Sequence, residues 1–232
     1  MEKYSAAQNI ARETIRDLKD IIRVGMSEKE IYDQAIALMT QKGSNGWWYH
    51  GLGALVLLGE RSCVSVSGTQ YVPSEDHIVS EDDLVTIDLA PTLDGYWGDY
   101  ARMIFVENGR VVAEEHLTNA LFQEGLSAEW VLHAKLCAMA DLDLTYEDVY
   151  DQLNQEITNL GFENLDFHGN LGHSIEFDQA DRIYIEQGNR TTFRESGKPF
   201  TLEPHIRKLG GSLGFKREDI YYFDEKGSLR RL

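Results

Sequence analysis

The chain has 232 residues, enough to bury a sizeable core, and carries 39 acidic against 22 basic side chains for a formal net charge of -17. That field repels nucleic acid and anionic lipid, and no apolar run approaches the roughly 20 residues needed to cross a bilayer. The two cysteines, Cys63 and Cys137, form no CxxC pair, which argues against a disulfide framework or a thiolate zinc site and fits the cytoplasm.

The N-terminal segment is charged and helical in period, without the apolar core of a secretory signal, and reads as mature protein. Over residues 2–24, Ile10, Ile15, Leu18 and Ile22 mark an amphipathic helix that stops at Gly25. Ser27 with Glu30 makes a capping box for a second helix, whose face is Ile31, Ala35, Leu38 and Met39 and whose end is Gly43. The stretch 54–68 predicts a buried strand followed by an alternating one that packs Cys63 inside. Strands follow at 84–90 and 96–106, joined at Asp94-Gly95, a step that favours a hairpin turn. Residues 112–160 are helical in composition with a break near 140–145, and short apolar pieces separated by glycine and charge fill the rest. Helices and strands in segregated groups predict an α+β fold, carried by a single domain over 1–232.

Acids at strand ends stand out. Asp88 closes a buried run, and Asp99 begins the next strand of the hairpin, so both carboxylates can face one spot, as hard divalent metals require. Taken alone, they read equally well as a strand-end acid and a turn acid. His168 and His173 flank glycines that let backbone approach a ligand closely. Glu203 ends an apolar stretch before Pro204, and Glu218 opens another; each alone would be an ordinary surface residue.

In the order Asp, Asp, His, Glu, Glu, these pieces resemble the superfamily of methionine aminopeptidases, Xaa-Pro aminopeptidases, prolidases and creatinase. IDLAP…GYWGDYAR, residues 87–102, resembles the paired metal aspartates with ten residues between them, and Gly172-His173 resembles the metal histidine. FTLEPHI, residues 200–206, and Lys216-Arg217-Glu218-Asp219 resemble the last two ligand strands, and the helix pair around Gly25 resembles the entrance helices.

The resemblance implies the pita-bread fold, a curved antiparallel sheet with helices on its outer face and pseudo-twofold halves. It implies two divalent ions (Mn, Co, Zn or Fe) held by Asp88, Asp99, His173, Glu203 and Glu218, with Asp99 and Glu218 bridging. A pair of ions roughly 3.5 to 4 Å apart activates a shared water and polarises a scissile carbonyl. Glu203 would double as the proton carrier. Homodimerisation, common in relatives, is a further expectation.

Two histidines of active relatives are absent. The position seven residues after His173 is Ala180, and the upstream position falls at Gln70 and Tyr71. The loop from His168 to His173 is also one residue longer than His-Gly-any-Gly-His. His168 as a catalytic group, and His205, His50 and Tyr71 as substrate-binding groups, are the candidates to fill that gap, each with packing or surface placement as the alternative. Trp47-Trp48-Tyr49 reads as core ahead of a substrate-facing wall, and Arg102 as a residue that orients carboxylates. The function implied is hydrolysis of an amide bond in a small peptide or amino-acid-derived substrate. Two alternatives stand beside it: a specialised pathway enzyme with altered chemistry, and a non-catalytic binding protein of the same fold.

Overall fold

Apolar spacing at three and four residues closes the N-terminal segment into helix α1 (Glu2–Ile21), in a computed structural model that describes residues 1–232. It ends before Val24, because Ile22 is already extended and Gly25, at φ +89°, turns the chain. Helix α2 (Glu28–Gln41) opens on a complete capping box between Ser27 and Glu30. The pair recurs later in the chain. Helix α3 (Ala120–Met139) repeats the 20-residue length of α1, and α4 (Tyr146–Asn159) repeats the 14 residues of α2, with its own capping box between Thr145 and Asp148. No helix is long and apolar enough to cross a membrane.

Strands β1 (Gly46–Trp47), β2 (Ala54–Leu58), β3 (Asp83–Leu89), β4 (Pro91–Leu93), β5 (Tyr96–Trp97), β6 (Tyr100–Glu107) and β7 (Arg110–Val112) make up the first half. The antiparallel order β2-β3-β6-β7 forms its main sheet, and β1-β4-β5 a smaller one. In the second half, β8 (Phe162–Asn164), β10 (His205–Lys208) and β11 (Gly214–Lys216) make one antiparallel sheet. β9 (Phe200–Leu202), β12 (Asp219–Phe223) and β13 (Leu229–Arg231) make another, reached through the short helix α5 (Phe193–Ser196).

Two sequence expectations change here. The run after β2 is not a second strand: Gly59–Cys63 forms a 3-10 turn, and Cys63 is only partly buried. That turn is clamped from the far half of the chain, since Gly214 N donates to Ser62 Oγ at 2.8 Å and His205 Nε2 to Ser62 O at 2.6 Å. The strand expected over 96–106 is divided, because Gly98 and Asp99 leave the sheet between β5 and β6.

A period of two along β3 and β6 separates the cores from the site. Val85, Ile87, Leu89, Ile104 and Val106 pack in one cluster beneath α1 and α2. Leu84, Met103 and Phe105 point the other way, into the cluster shared with α3 and α4. Thr86 and Asp88 continue that second face beyond the reach of the core, and both line a cavity between the halves.

Candidate active site

Asp88 reaches the cavity because it shares the Leu84 and Thr86 face of β3. It sits opposite Ala101 in the β3–β6 register, so Asp99, two residues earlier, lies on the same face. Its backbone is fixed by helix α1, where Gln8 Nε2 donates to Asp99 O at 2.8 Å and Asp99 N donates to Gln8 Oε1 at 2.8 Å, both buried. Gly98 permits this approach, since a Cβ there would stand 2.6 Å from Ala7 O.

Glu218 enters from the second half. Its backbone N donates to Ala101 O at 3.1 Å. Arg102 holds the same point, donating from Nη1 to Glu218 O and from Nη2 to Asp219 Oδ1, each at 2.6 Å. One ligand-type oxygen each from Asp88, Asp99 and Glu218 lies within 4.8 Å of the others.

His173 and Glu203 arrive on paired extended segments. Thr201 N donates to His173 O at 2.8 Å, and Glu203 N to Leu171 O at 2.9 Å. Gly172 is required between them, for its φ is +146° and a Cβ would collide with Thr201 O. His173 Nδ1 donates to Ser174 O at 2.9 Å, which leaves Nε2 as an available lone pair. That nitrogen is 3.6 Å from Asp99 Oδ2 and 3.6 Å from Glu203 Oε1. The five residues singled out in the sequence therefore converge.

Electrostatics at this point are unbalanced. Four carboxylates face one ammonium: Lys216 Nζ lies 2.6 Å from Asp88 Oδ2 and 3.0 Å from Glu203 Oε2. Burial pushes the Asp99 carboxyl well above the usual range, with Asp88 and Glu203 adding to the rise. Glu218 is raised in the same way, by burial and then by Asp99 and Glu203. For Glu203, burial also raises the value, but Lys216, His173 and Arg182 together outweigh it and the carboxyl is held below its ordinary range. Burial keeps His173 neutral, lowering it to about 4.

Asp99 Oδ2 and both Glu218 carboxylate oxygens are buried without a hydrogen-bond partner. Native structures rarely leave such groups unpaired, and an uncompensated buried charge costs several kcal/mol. Hard oxygen donors with one free imidazole nitrogen form a donor set that suits divalent cations. The residues present fit a metal centre.

The candidates for the missing histidines fare differently. Tyr71 is buried away from the cavity, its hydroxyl accepting from Val56 N at 2.8 Å and donating to Val56 O at 3.0 Å. His168 is exposed and lies outside the cavity lining. His205 does line it, yet its Nε2 is spent on Ser62 O, and burial lowers the ring to about 4. His50 stands at the rim, where Gln179 Nε2 donates to its Nε2 at 2.7 Å. Trp47 packs against the core beneath α1 and α2, as the sequence reading has it, whereas Trp48 and Tyr49 line the cavity, Trp48 also packing on the small Trp97 cluster. Trp48 stacks on Trp97 at 4.5 Å and meets the His173 ring edge-on at 5.4 Å.

Spacing arguments do not reach Gln8, Lys216, Arg182 or Tyr184. Only Lys216 carries a local signal, standing at the end of β11, two residues before Glu218.

A profile of metallopeptidase family M24 matches residues 2–225. An uncharacterized peptidase from Schizosaccharomyces pombe is 26% identical over 212 residues, covering 88% of this chain and 42% of the relative. Among solved structures, an X-Pro aminopeptidase from Thermotoga maritima superposes with a TM-score of 0.80 at 23% identity, covering 99% of this chain and 59% of its own. A Xaa-Pro dipeptidase from Bacillus anthracis gives 0.78 at 21% identity, with coverage of 99% and 59%. A methionine aminopeptidase from Thermotoga maritima gives 0.77 at 17% identity, with coverage of 99% and 94%. These likenesses establish the pita-bread fold, while the chain spans less than half the length of the curated relative and about three-fifths of the first two structures. With a match that runs across nearly all its residues, the chain belongs to metallopeptidase family M24.

Proposed function

We propose that the chain is a metal-dependent hydrolase of an amide bond, similar to an aminopeptidase or Xaa-Pro peptidase, and that it works with two divalent ions: manganese, cobalt, zinc or iron. The observation that carries this is the set of unpartnered buried oxygens on Asp99 and Glu218 beside the free Nε2 of His173. Asp88, Asp99, His173, Glu203 and Glu218 would hold the ions. When bound, such a pair lowers the pKa of a shared water and polarises the carbonyl.

The chain's own groups do the rest. Ser174 O fixes the His173 tautomer, so that Nε2 stays a lone-pair donor. Glu203, held ionised at neutral pH by Lys216, can accept a proton from water and return it to the leaving amine. Trp48, Tyr49 and Tyr184 wall a cavity of about 370 Å³, within the range of small-molecule sites. Peptide or amino-acid-derived compounds of that size are the substrates, with no role for nucleic acid or membrane.

A specialised substrate is favoured over broad peptidase action by the state of the His205 ring. His205 Nε2 donates to Ser62 O, so its neutral ring offers only an acceptor at Nδ1. It cannot donate to an oxyanion as the absent histidines would.

The test is purification with manganese, cobalt or zinc, metal analysis, and a dipeptide panel with Asp99→Ala as the control. Wild type is expected to carry metal and to release amine, and Asp99→Ala to do neither. Amine release by both proteins alike, or a wild type that takes up no metal, overturns the reading.

A further inference from the structure

The imidazoles of His50, His173 and His205 line the cavity, and the ring proton of each can be assigned. His173 spends Nδ1–H on Ser174 O, and His205 spends Nε2–H on Ser62 O, so neither has a proton to offer a ligand. His50 differs. Its backbone N can only donate, and it donates to Gln179 Oε1 at 3.2 Å, which orients the Gln179 amide. The other end of that amide, 2.7 Å from His50 Nε2, is therefore the NH2 group. An NH2 group donates and does not accept, so His50 Nε2 is a lone pair and the ring proton sits on Nδ1. That Nδ1–H has no partner within the chain.

The surroundings hold this arrangement in place. His50 has a backbone φ of +50°, uncommon for a residue with a side chain, and such a conformation persists where its neighbours over-determine it. Leu52 N donates to Tyr49 O at 2.8 Å across the turn. Gly68 lies against the ring, for a Cβ there would stand 3.4 Å from His50 Cδ2. Gln179 is anchored as well. It opens the 3-10 turn Gln179–Asp181, where Asp178 Oδ1 accepts from Ala180 N at 2.9 Å, and its own O accepts from Arg182 Nε at 3.0 Å. His50 belongs to the first half of the chain and Gln179 to the second, so one side-chain amide bridges the halves at the cavity mouth.

We propose that Gln179 is a positioning residue: it holds His50 as the Nδ1–H tautomer, and so keeps one imidazole N–H free to donate to an oxygen of the bound peptide. This deepens, and rests on, the amide-hydrolase reading above. Which ring nitrogen carries the proton is set by the bond that the other one makes. In free histidine the Nε2–H form predominates, so a ring released from Gln179 moves its proton to the opposite nitrogen.

The test compares wild type with Gln179→Leu and Gln179→Glu. Leucine removes both bonds. Glutamate still accepts from His50 N but has no proton for Nε2, so it keeps the bridge and inverts the ring. NMR shifts of the histidine ring nitrogens, recorded on the zinc-loaded protein, read the tautomer directly. Wild type is expected to show Nδ1–H at His50, and both variants to carry the proton on Nε2. Excess dipeptide should move the His50 Nδ1 signal of wild type. A neutral hydrogen bond of this kind corresponds to roughly 2- to 10-fold in affinity. Across a dipeptide panel, kcat/KM should fall by that factor in Gln179→Glu as well as in Gln179→Leu, whereas a bridge with a merely structural role would spare Gln179→Glu.

An Nε2–H ring at His50 in wild type, or an Nδ1–H ring that survives in Gln179→Leu, overturns the role of Gln179. A His50 Nδ1 signal unmoved by excess dipeptide, or wild-type kcat/KM in Gln179→Glu, overturns the donor and leaves hydrolysis standing wherever amine is released. A moved signal with no dipeptide cleaved overturns hydrolysis and leaves the donor standing.

Discussion

Arg102 holds Glu218 from behind, and its energetics can be separated from any metal. Its guanidinium stacks 3.7 Å from the Tyr100 ring and donates to Ala101 O, Glu218 O and Asp219 Oδ1. The ion pair with Asp219 is buried, at 7% and 2% side-chain exposure. Burial raises the Asp219 carboxyl, but Arg102, with help from His133 and Arg217, outweighs it and holds it below the ordinary range. Arg102→Met leaves that carboxylate without its main counter-ion, and breaking such a pair costs about 3–5 kcal/mol. A lower urea midpoint at unchanged slope is the expected outcome. The double variant Arg102→Met with Asp219→Leu should recover much of the loss, because no isolated charge remains. A double variant no more stable than the single one would show that the arginine acts by packing against Tyr100 instead.

At the scale of elements, the site depends on glycines that let strands touch. Gly172→Ala places a methyl against Thr201 O at a backbone φ of +146°, where a side chain is strained in any case. The pairing that carries His173 beside Glu203 must open, at a cost of about 1–3 kcal/mol from overpacking. The His173 pairing should loosen, so metal uptake is expected to fall further than stability does, read as metal per chain in protein that still melts cooperatively. Uptake equal to wild type would show that the strand pair tolerates the methyl. The same elements explain what the sequence makes legible. Ser27 with Glu30, and Asp94-Gly95, act over three residues or fewer, so helix α2 and the turn before β5 follow from local chemistry. Asp88 and Asp99 are readable because one hairpin brings them together. Gln8 clamps Asp99 across 91 residues, and Gly214 reaches Ser62 across 152. No period in the sequence encodes such partners, which is why Gln8 stays hidden and why the alternation after β2 suggests a strand where a clamped turn stands. Trp48 escapes for a related reason: the same aromatic residue suits a core or a cavity wall, and only the packing of Trp97 and His173 around it decides.

For the whole molecule, the decisive quantity is the charge that folding concentrates between the two halves. Asp88 and Asp99 come from the first half, and His173, Glu203, Lys216 and Glu218 from the second, so assembling the halves brings four carboxylates together against one ammonium. Without metal, Asp99 and Glu218 have folded-state pKa values well above their ordinary 3.8 and 4.5. A raised carboxyl contributes stability that is complete below its unfolded value and is lost as pH rises through the folded one. In the metal-free protein, these two groups therefore destabilise progressively as pH climbs above about 4.5. His173 acts in the opposite sense, being lowered to about 4 from 6.5, so that its contribution is present above 6.5 and lost toward 4. It is neutral through the upper part of that range and does not compete as a proton acceptor there. Metal held as proposed would displace the protons on Asp99 and Glu218, so its apparent affinity should rise with pH. At a manganese concentration 100 times the dissociation constant, linkage adds about 2.7 kcal/mol to the folded state. At fixed manganese, the rise in melting temperature over the metal-free protein should therefore be larger at pH 7.5 than at pH 5.5. Removing the metal with a chelator at pH 7.5 should return the lower melting point. Asp99→Asn, which cannot ionise, should flatten the pH dependence of that increment. An increment that stays constant or shrinks with rising pH would mean that the stabilising metal binds somewhere other than between these acids.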